Sequence, residues 1–255
     1  MVSPASAAYV MWYRQVKRFV RARSRLVGSI FQPIFWMVFL GLGFTSALRG
    51  APVFGGIDYL TFFAPGVVMM AVFFTAFFSG TSIIWDREFG FLKEILVAPA
   101  SRTATILGRI LGDVTIAMLQ GVIILALALL MVPSLNLTGF PLVLAAAFFT
   151  ALQFAALGTI LASKLKSFEG FQLVNMLLAM PIFFLSGAFY PVDALPGPAA
   201  LAAYLNPLVY GVELSRRALT GMGFLPLPTS LTILTASSIL LFLVAVWSFE
   251  KTTAE

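Results

Sequence analysis

The chain contains neither cysteine nor histidine among its 255 residues. This absence excludes disulfide bonds, thiol catalysis, histidine-dependent triads and the usual zinc sites, and leaves only an all-carboxylate metal site conceivable. Charged residues make up 10% of the chain, against roughly 25% in ordinary soluble domains. With 60% hydrophobic residues and a mean hydropathy of +1.01, the chain cannot cover a soluble surface with polar groups. A soluble domain, a disordered chain and a secreted disulfide scaffold are therefore excluded.

Long uncharged runs dominate the sequence instead. A helix needs about 20 mostly apolar residues to cross a bilayer, and the charged residues divide the chain into runs of that size. Turn signals at 133–136 and 139–141 split the longest run in two. We predict an all-α polytopic membrane protein, a single domain over 1–255, with six spans at 28–48, 59–84, 110–132, 140–162, 170–189 and 229–249. The first span is too long for a cleavable signal peptide.

The basic residues predict how the chain is oriented. Six precede the first span, and others follow the second and fourth spans, whereas the opposite side holds only Arg49, Arg216 and Arg217. The positive-inside rule places both termini in the cytoplasm of a multi-pass protein of the inner (plasma) membrane. This distribution also accounts for the net charge of +6, so nothing indicates a nucleic-acid partner.

Residues 5–26 predict an amphipathic helix in the headgroup plane. Its apolar residues recur at helical spacing, with basic residues opposite: Tyr9, Trp12, Tyr13, Val16, Phe19 and Val20 against Arg14, Lys17, Arg18, Arg21 and Arg25. Such a helix either serves as a topology anchor alone or docks a cytoplasmic partner through its polar face. Periodicity leaves both interpretations open.

Residues 85–102 form the most charged stretch, yet they include Phe89, Phe91, Leu92, Ile95 and Leu96. A purely solvated loop does not need these apolar side chains. We predict a short helix that ends at Pro99 and serves either as a second interfacial helix or as a contact element for another protein.

The segment 190–225 is too apolar for a free outer loop and too interrupted by proline to span the bilayer. It predicts short re-entrant helices that dip into the outer leaflet. Asn206 followed by Pro207 is a helix-start pattern, with asparagine as N-cap and proline at the first helical position.

No catalytic motif is present: the sequence contains no phosphate-binding loop, no dinucleotide fingerprint and no nucleophile elbow. All ten acidic residues map to span ends or loops, so the span centres lack the ionisable groups that ion-coupled carriers need. We expect no enzymatic activity and no bound metal. Energy for uphill transport then has to come from another chain.

Uncharged polar residues and phenyl rings recur within spans two and five. They indicate either helix packing or a path for an amphipathic substrate, and the candidate path residues are Phe73, Phe74, Thr75, Phe77, Phe78, Ser79, Asn175, Phe183, Phe184 and Ser186. Gly108 and Gly112 form a G-x-x-x-G pair that predicts close helix contact.

Four segments together resemble the permease subunit of the ABC-2 group of ATP-binding-cassette exporters, which includes drug, polysaccharide and lipo-oligosaccharide exporters. They are YLTFFAPG at 59–66, EILVAP at 94–99, FLSGAFYP at 184–191 and NPLVY at 206–210. Their order and spacing extend the resemblance over nearly the whole chain.

The resemblance implies a separate ATPase subunit in two copies, which binds ATP and Mg²⁺, and a second permease chain in a homodimer. The 5–26 helix would lie beside the ATPase and 85–102 would be the coupling helix in an ATPase groove. The implied ATPase-coupling residues are Arg14, Lys17, Arg18, Arg87, Glu88, Phe89, Phe91, Leu92, Lys93 and Glu94. Spans two and five would lie near the central path.

Three alternatives stay open beside an ATP-driven exporter of a drug, a lipid or a lipid-linked glycan. The chain could act alone as a secondary carrier or channel, which the absence of charges at the span centres disfavours. It could belong to a membrane-remodelling complex without cargo. A membrane-embedded enzyme is disfavoured because histidine, cysteine and an intramembrane acid are all missing.

Overall fold

The computed structural model describes residues 3–48, 54, 56–91, 94, 101–165 and 167–251, and within these ranges all regular elements are helical. We number their α-helices in chain order. They are α1 (Pro4–Arg21), α2 (Arg23–Trp36), α3 (Gly43–Ala47), α4 (Tyr59–Phe77), α5 (Thr81–Glu88), α6 (Arg102–Met131), α7 (Phe140–Lys164), α8 (Phe168–Phe184), α9 (Gly197–Tyr204), α10 (Pro207–Thr220) and α11 (Leu227–Glu250).

Five helical stretches of the described chain are long and apolar enough to cross a bilayer. They are Val27–Ala47, Tyr59–Glu88, Arg102–Met131, Leu137–Lys164 and Leu227–Glu250. They coincide with predicted spans one to four and six, which confirms an all-α polytopic membrane fold. Predicted span five coincides with α8, whose 17 residues extend about 25 Å, slightly less than the roughly 30 Å hydrocarbon core. That sixth crossing stays a prediction.

The predicted 5–26 helix is divided at Ala22. The backbone of Ala22 leaves the helical region, at φ −85° and ψ 69°, so that α1 ends at Arg21 and α2 begins at Arg23. The break allows the chain to change direction between α1 and the first span.

The first span is irregular in its middle. Pro33 lies inside α2 and has no N–H to donate to the carbonyl of Ser29. That carbonyl instead accepts a hydrogen bond from Nε2 of Gln120 on α6, at 2.8 Å. A π-helical turn, Met37–Leu42, then connects α2 to α3. Proline and the π-turn together let the span follow its neighbours without leaving this carbonyl unpaired.

Helix α4 lies at the centre of the bundle, and nearly all of its residues are buried. A 3₁₀ turn, Phe78–Gly80, separates it from α5. At this turn the chain crosses α7 so closely that a Cβ on Gly80 would collide with the carbonyl of Gly158. Glycine at this position permits the backbone contact that holds the central helix against α7.

The long helices alternate in direction, so the molecule has two ends. At the end we call the basic end, α1 and α5 meet the start of α6, the end of α7, the start of α8 and the end of α11. Trp85 stacks on Phe168 at 6.2 Å, and Nη1 of Arg102 donates to the carbonyl of Glu250 at 3.0 Å. At the opposite end, the N–H of Asn136 donates to the carbonyl of Leu219 at 2.7 Å.

The segment after α8 contains the predicted short helices. A 3₁₀ turn, Val192–Ala194, is followed by α9 and α10. The side chain of Asn206 accepts from the N–H of Leu208 with Pro207 at the first helical position, which confirms the predicted helix start. Nδ2 of Asn206 also donates to the carbonyl of Ile182 at 2.7 Å, so α10 is fixed to the end of α8.

Candidate functional site

Helix α1 packs on α6 through small residues at the basic end. A Cβ on Gly108 would collide with the backbone of Ala8, and a Cβ on Gly112 would lie 2.7 Å from Cβ of Gln15. The close helix contact predicted from the G-x-x-x-G pair is therefore confirmed. The side chain that α1 buries deepest in this seam is Gln15, at 2% exposed.

The buried face of α1 differs from the predicted aromatic face. It consists of residues at four-residue spacing: Ala7, Met11, Gln15 and Phe19. Tyr9, Tyr13 and Val20 are exposed, and Nε1 of Trp12 donates to Oγ1 of Thr115 at 3.0 Å. The glycines of α6 determine which face can approach, because only small or slender side chains fit between two closely packed backbones.

A network of charges joins three helices at the basic end. Asp86, in the last turn of α5, is 3% exposed. Its Oδ1 accepts from Nη2 of Arg14 on α1 at 2.6 Å, and its Oδ2 accepts from Nη1 of Arg109 on α6 at 2.8 Å. Nη1 of Arg18 lies 3.6 Å from Oδ1. One carboxylate therefore contacts guanidinium groups from two different helices.

Further polar side chains complete this network. Nη2 of Arg109 donates to Oγ of Ser82 at 2.5 Å, and Nε2 of Gln15 donates to Oδ1 of Asp113 at 2.9 Å. Burial first, and then the positive charge of Arg109, lower the pKa of Arg18. We call this set the Asp86 cluster: Arg14, Gln15, Arg18, Ser82, Asp86, Arg109 and Asp113.

Sequence reasoning did not identify the Asp86 cluster, because it treated the acidic residues as marking span ends. The signal was nevertheless visible. Ser82 and Asp86 are four residues apart, as are Arg109 and Asp113, and this spacing places each pair on one helix face. What the spacing could not show is that the two faces meet.

Arg87 contacts a different helix from Asp86. Its guanidinium donates to the carbonyls of Leu165 at 2.6 Å and Ala162 at 3.2 Å, which belong to the C-terminal end of α7. Helix C-termini carry unpaired carbonyls and partial negative charge. Arg87 donates to two of these carbonyls, and its positive charge offsets the partial negative charge. The same side chain is also a predicted ATPase contact, so Arg87 has an internal role beside that prediction.

The other predicted coupling residues are mostly exposed. Glu88, Phe89, Phe91 and Glu94 face outward beside α5, as does Lys17 on α1. Residues Leu92 and Lys93 lie outside the described residues, as does Pro99, the predicted end of the coupling helix. The candidates therefore divide into an internally bonded group, made of Arg14, Arg18 and Arg87, and an exposed group.

A cleft lies between α2, α4 and α8. Its volume is about 400 Å³, counting the part open to the surroundings, and its lining consists of Ser29, Gln32, Pro33, Trp36, Val67, Met70, Ala71, Phe74, Thr75 and Phe183. The ring of Phe183 lies 5.3 Å from Trp36 and 5.1 Å from Phe74. Apolar walls with a few polar groups suit an amphipathic ligand.

Three of the candidate path residues, Phe74, Thr75 and Phe183, line this cleft. Phe73 and Phe77 instead pack against Phe154 of α7, with ring centroids 4.6 and 6.2 Å apart.

The remaining candidates lie at other positions of spans two and five. Phe78 is partly buried and Ser79 is buried at the 3₁₀ turn. Phe184 is exposed, and Oγ of Ser186 donates to the carbonyl of Phe183 at 2.7 Å. Asn175 is fully buried, and its amide atoms have no partner among the described residues.

A second buried charge network lies at the opposite end. Arg216 is 2% exposed, and it donates to the carbonyl of Gly187 at 2.6 Å and to Oε2 of Glu213 at 3.2 Å. Its guanidinium carbon lies 3.9 Å from the ring centroid of Phe62. The other oxygen of Glu213 accepts from the N–H groups of Phe224 and Leu225. The network joins α4, α10 and the turn after α8.

Sequence analysis used Arg216 only as an outer-side charge and gave Glu213 no partner. Their three-residue spacing is a pattern that predicts a helical ion pair. The described part of the chain contains no cluster of three or more acidic residues that could hold a metal ion.

Comparison with known proteins relates this arrangement to membrane transport. The ABC-2 type transporter family model matches residues 6–220. The chain is similar to the inner membrane transport permease YadH of Escherichia coli K12, with 27% identity over 241 residues, 93% of this chain and 92% of YadH. It is also similar to the daunorubicin resistance ABC transporter permease protein DrrB1 of Streptomyces coeruleorubidus, with 28% identity over 222 residues, 85% of this chain and 76% of DrrB1.

Proposed function

Because this chain belongs to the ABC-2 type transporter family, we propose that it is the permease subunit of an ATP-driven exporter that moves an amphipathic substrate out of the cytoplasm. The observation that carries the proposal is the family match over residues 6–220. This range includes α1, the 85–102 segment and all three helices of the cleft. Family members are the membrane components of transporters, are not themselves catalytic and work with an ATPase partner.

The basic end supports the proposed site of ATPase contact. Phe89 is 74% and Phe91 is 50% exposed, and both follow α5 directly. Aromatic side chains are enriched in protein interfaces relative to the rest of a protein surface. We propose that two ATPase subunits bind here, which requires the basic end and both termini to be cytoplasmic. Closure of the ATPase pair around ATP would then shift the 85–102 segments as rigid bodies.

The cleft supports the proposed route of the substrate. Phe74 and Phe183 supply flat apolar surface, while Gln32 and Thr75 supply hydrogen-bonding groups. A drug, a lipid and a lipid-linked glycan all combine apolar and polar parts, so the chemistry of the lining does not distinguish between these classes. We propose that movement of the bundle opens this cleft toward the outside.

Exposed apolar side chains beside the cleft support a second permease chain. They lie on α2, on the π-helical turn that follows it and on α8, and comprise Phe31, Phe35, Phe39, Leu173, Met176 and Leu177. A second copy of the chain facing these helices would close the open side of the cleft. We propose a homodimer in which both copies contribute to one central path.

Reconstitution tests the proposed function. The chain is purified with its ATPase subunit and placed in liposomes, with daunorubicin and a fluorescent phospholipid as probes. We expect ATP-dependent accumulation of at least one probe, and none with a hydrolysis-deficient ATPase subunit. Flux driven by an ion gradient through the chain alone would contradict the proposal and would support a stand-alone carrier or channel.

A further inference from the structure

We infer that Asp86 is a positioning residue that makes α1, α5 and the start of α6 move as one body with the 85–102 segment. This inference rests on the proposed function. It assigns a role in coupling to a residue that no ATPase subunit can touch.

Asp86 lies where the 85–102 segment joins the transmembrane bundle. Helix α5 ends at Glu88, and Gly90 follows with a φ of +79°. A displacement of the exposed residues beyond Gly90 reaches the bundle at two places, through the last turn of α5 and through the start of α6 at Arg102. Side chains of the last turn of α5 therefore determine which further helices receive the displacement.

Two neighbouring side chains fix this turn to three helices. Asp86 contacts Arg14 of α1 and Arg109 of α6 at 2.6 and 2.8 Å, while Arg87 donates to Leu165 at the end of α7 at 2.6 Å. The contacts of Asp86 are charge-assisted, and Arg109 is 1% exposed. Separation of the pair would leave a buried charge without its counter-ion. The ion pairs of the Asp86 cluster therefore stay formed when α5 is displaced, and α1 and α6 move with it.

Burial distinguishes this role from direct ATPase contact. Arg14 and Arg18 are both predicted to meet the ATPase, and both point at Asp86. A loss of coupling in an arginine variant is therefore ambiguous by itself. Asp86, at 3% exposed, can influence coupling only through contacts within the chain.

The experiment compares Asp86→Asn and Arg14→Gln in the assembled complex with its ATPase subunit in liposomes. Arg21→Gln is the matched control, because Arg21 is an exposed arginine on the same helix outside the Asp86 cluster. The chain has no cysteine, so each introduced cysteine pair is labelled without background. Spin labels at Leu137 and Leu205 report the opposite end, where both side chains are exposed.

For the wild type and Arg21→Gln, we expect the label distance to change between the nucleotide-free and ATP-trapped states. For Asp86→Asn and Arg14→Gln, we expect this change to fall by at least half. For Asp86→Asn, ATPase affinity and ATP hydrolysis are expected to stay within twofold of the wild type. Arg14→Lys, which keeps a positively charged donor for Asp86, is expected to restore most of the change.

Other outcomes overturn the inference. An unchanged label distance response in both variants would show that the cluster transmits nothing. A tenfold loss of ATPase affinity in Arg14→Gln, with normal behaviour of Asp86→Asn, would assign Arg14 to direct ATPase contact. If Asp86→Asn does not fold, Arg14→Gln is judged together with its ATPase affinity, because it leaves the pair of Asp86 and Arg109 intact: a smaller distance change at unchanged affinity supports the inference, and an unchanged distance change refutes it. A wild type that shows no response to ATP would instead refute the proposed function.

Discussion

Neutralising Glu213 is expected to destabilise the protein by about 3–5 kcal/mol, the range for breaking a buried ion pair from one side. The substitution Glu213→Gln keeps the size of the side chain and an oxygen that can accept from the N–H of Leu225, so it removes mainly the charge. Arg216 then remains buried at 2% exposure without its contacting carboxylate. Burial lowers the pKa of Arg216 to about 10 in the wild type, where the Glu213 carboxylate acts to raise it, so the wild-type guanidinium is charged at neutral pH and loses its counter-charge in the variant.

The loss is measurable as a shift in thermal unfolding. For a domain of this size each kcal/mol corresponds to roughly 2–4 °C, so the midpoint is expected to fall by roughly 6–20 °C. The four tryptophans of the chain provide the fluorescence signal for the protein in detergent. Glu169→Gln is the control, because Glu169 is exposed in the first turn of α8 and its loss is expected to cost under about 1 kcal/mol.

The double substitution Glu213→Gln with Arg216→Met tests the cause. A methionine removes the buried charge, and replacement of a buried ion pair by apolar side chains is often neutral. We therefore expect the double variant to recover most of the lost stability. The reasoning is refuted if Glu213→Gln is as stable as the wild type while the double variant is not. That result would assign the stability to the hydrogen bond from Arg216 to Gly187.

Two further comparisons test the basic end. Gly108→Ala is expected to displace α1 from α6 and to lower the unfolding midpoint, because the added Cβ would collide with Ala8. Gly28→Ala is the control and is expected to be no less stable than the wild type, because its Cβ meets nothing within 4 Å. Equal thermal unfolding midpoints of the two variants would contradict the close contact of α1 with α6. Glu88→Lys is expected to lower transport per ATP hydrolysed without loss of stability. Arg87→Gln is expected to lower the free energy of unfolding by about 1.5–3 kcal/mol, because the end of α7 loses a charged donor. Equal stability of the two variants would contradict the structural role of Arg87.

Five of the six predicted spans coincide with long apolar helices of the described chain, because bilayer thickness sets the length of apolar runs. At the basic end one of these helices extends beyond its predicted span. Helix α6 begins at Arg102, although the span was predicted to begin at 110. The prediction took Arg109 and Asp113 as boundary residues, since unpaired charges are costly in a membrane. The structure keeps both inside the helix by bonding them to side chains from α1 and α5.

The candidate path was harder to predict than the spans. Neighbouring residues on a helix point about 100° apart, so Phe73 and Phe74 cannot have the same surroundings. The sequence shows that both are aromatic, but only the packing of α7 and α8 separates them. Phe73 meets Phe154, whereas Phe74 meets Phe183 and lines the cleft.

Packing and charge together indicate where the bundle can open. Helix α4 is buried on all sides, and buried charge networks fix its first turns near Phe62 and the end of α5 near Asp86. Helices α2 and α8 differ, because the described side chains of each are buried on one side only. A force applied through the basic end would therefore move α4 with its neighbours, and the bundle would separate along α2 and α8. The cleft lies at that boundary, so Phe183 would be among the first side chains exposed to a substrate.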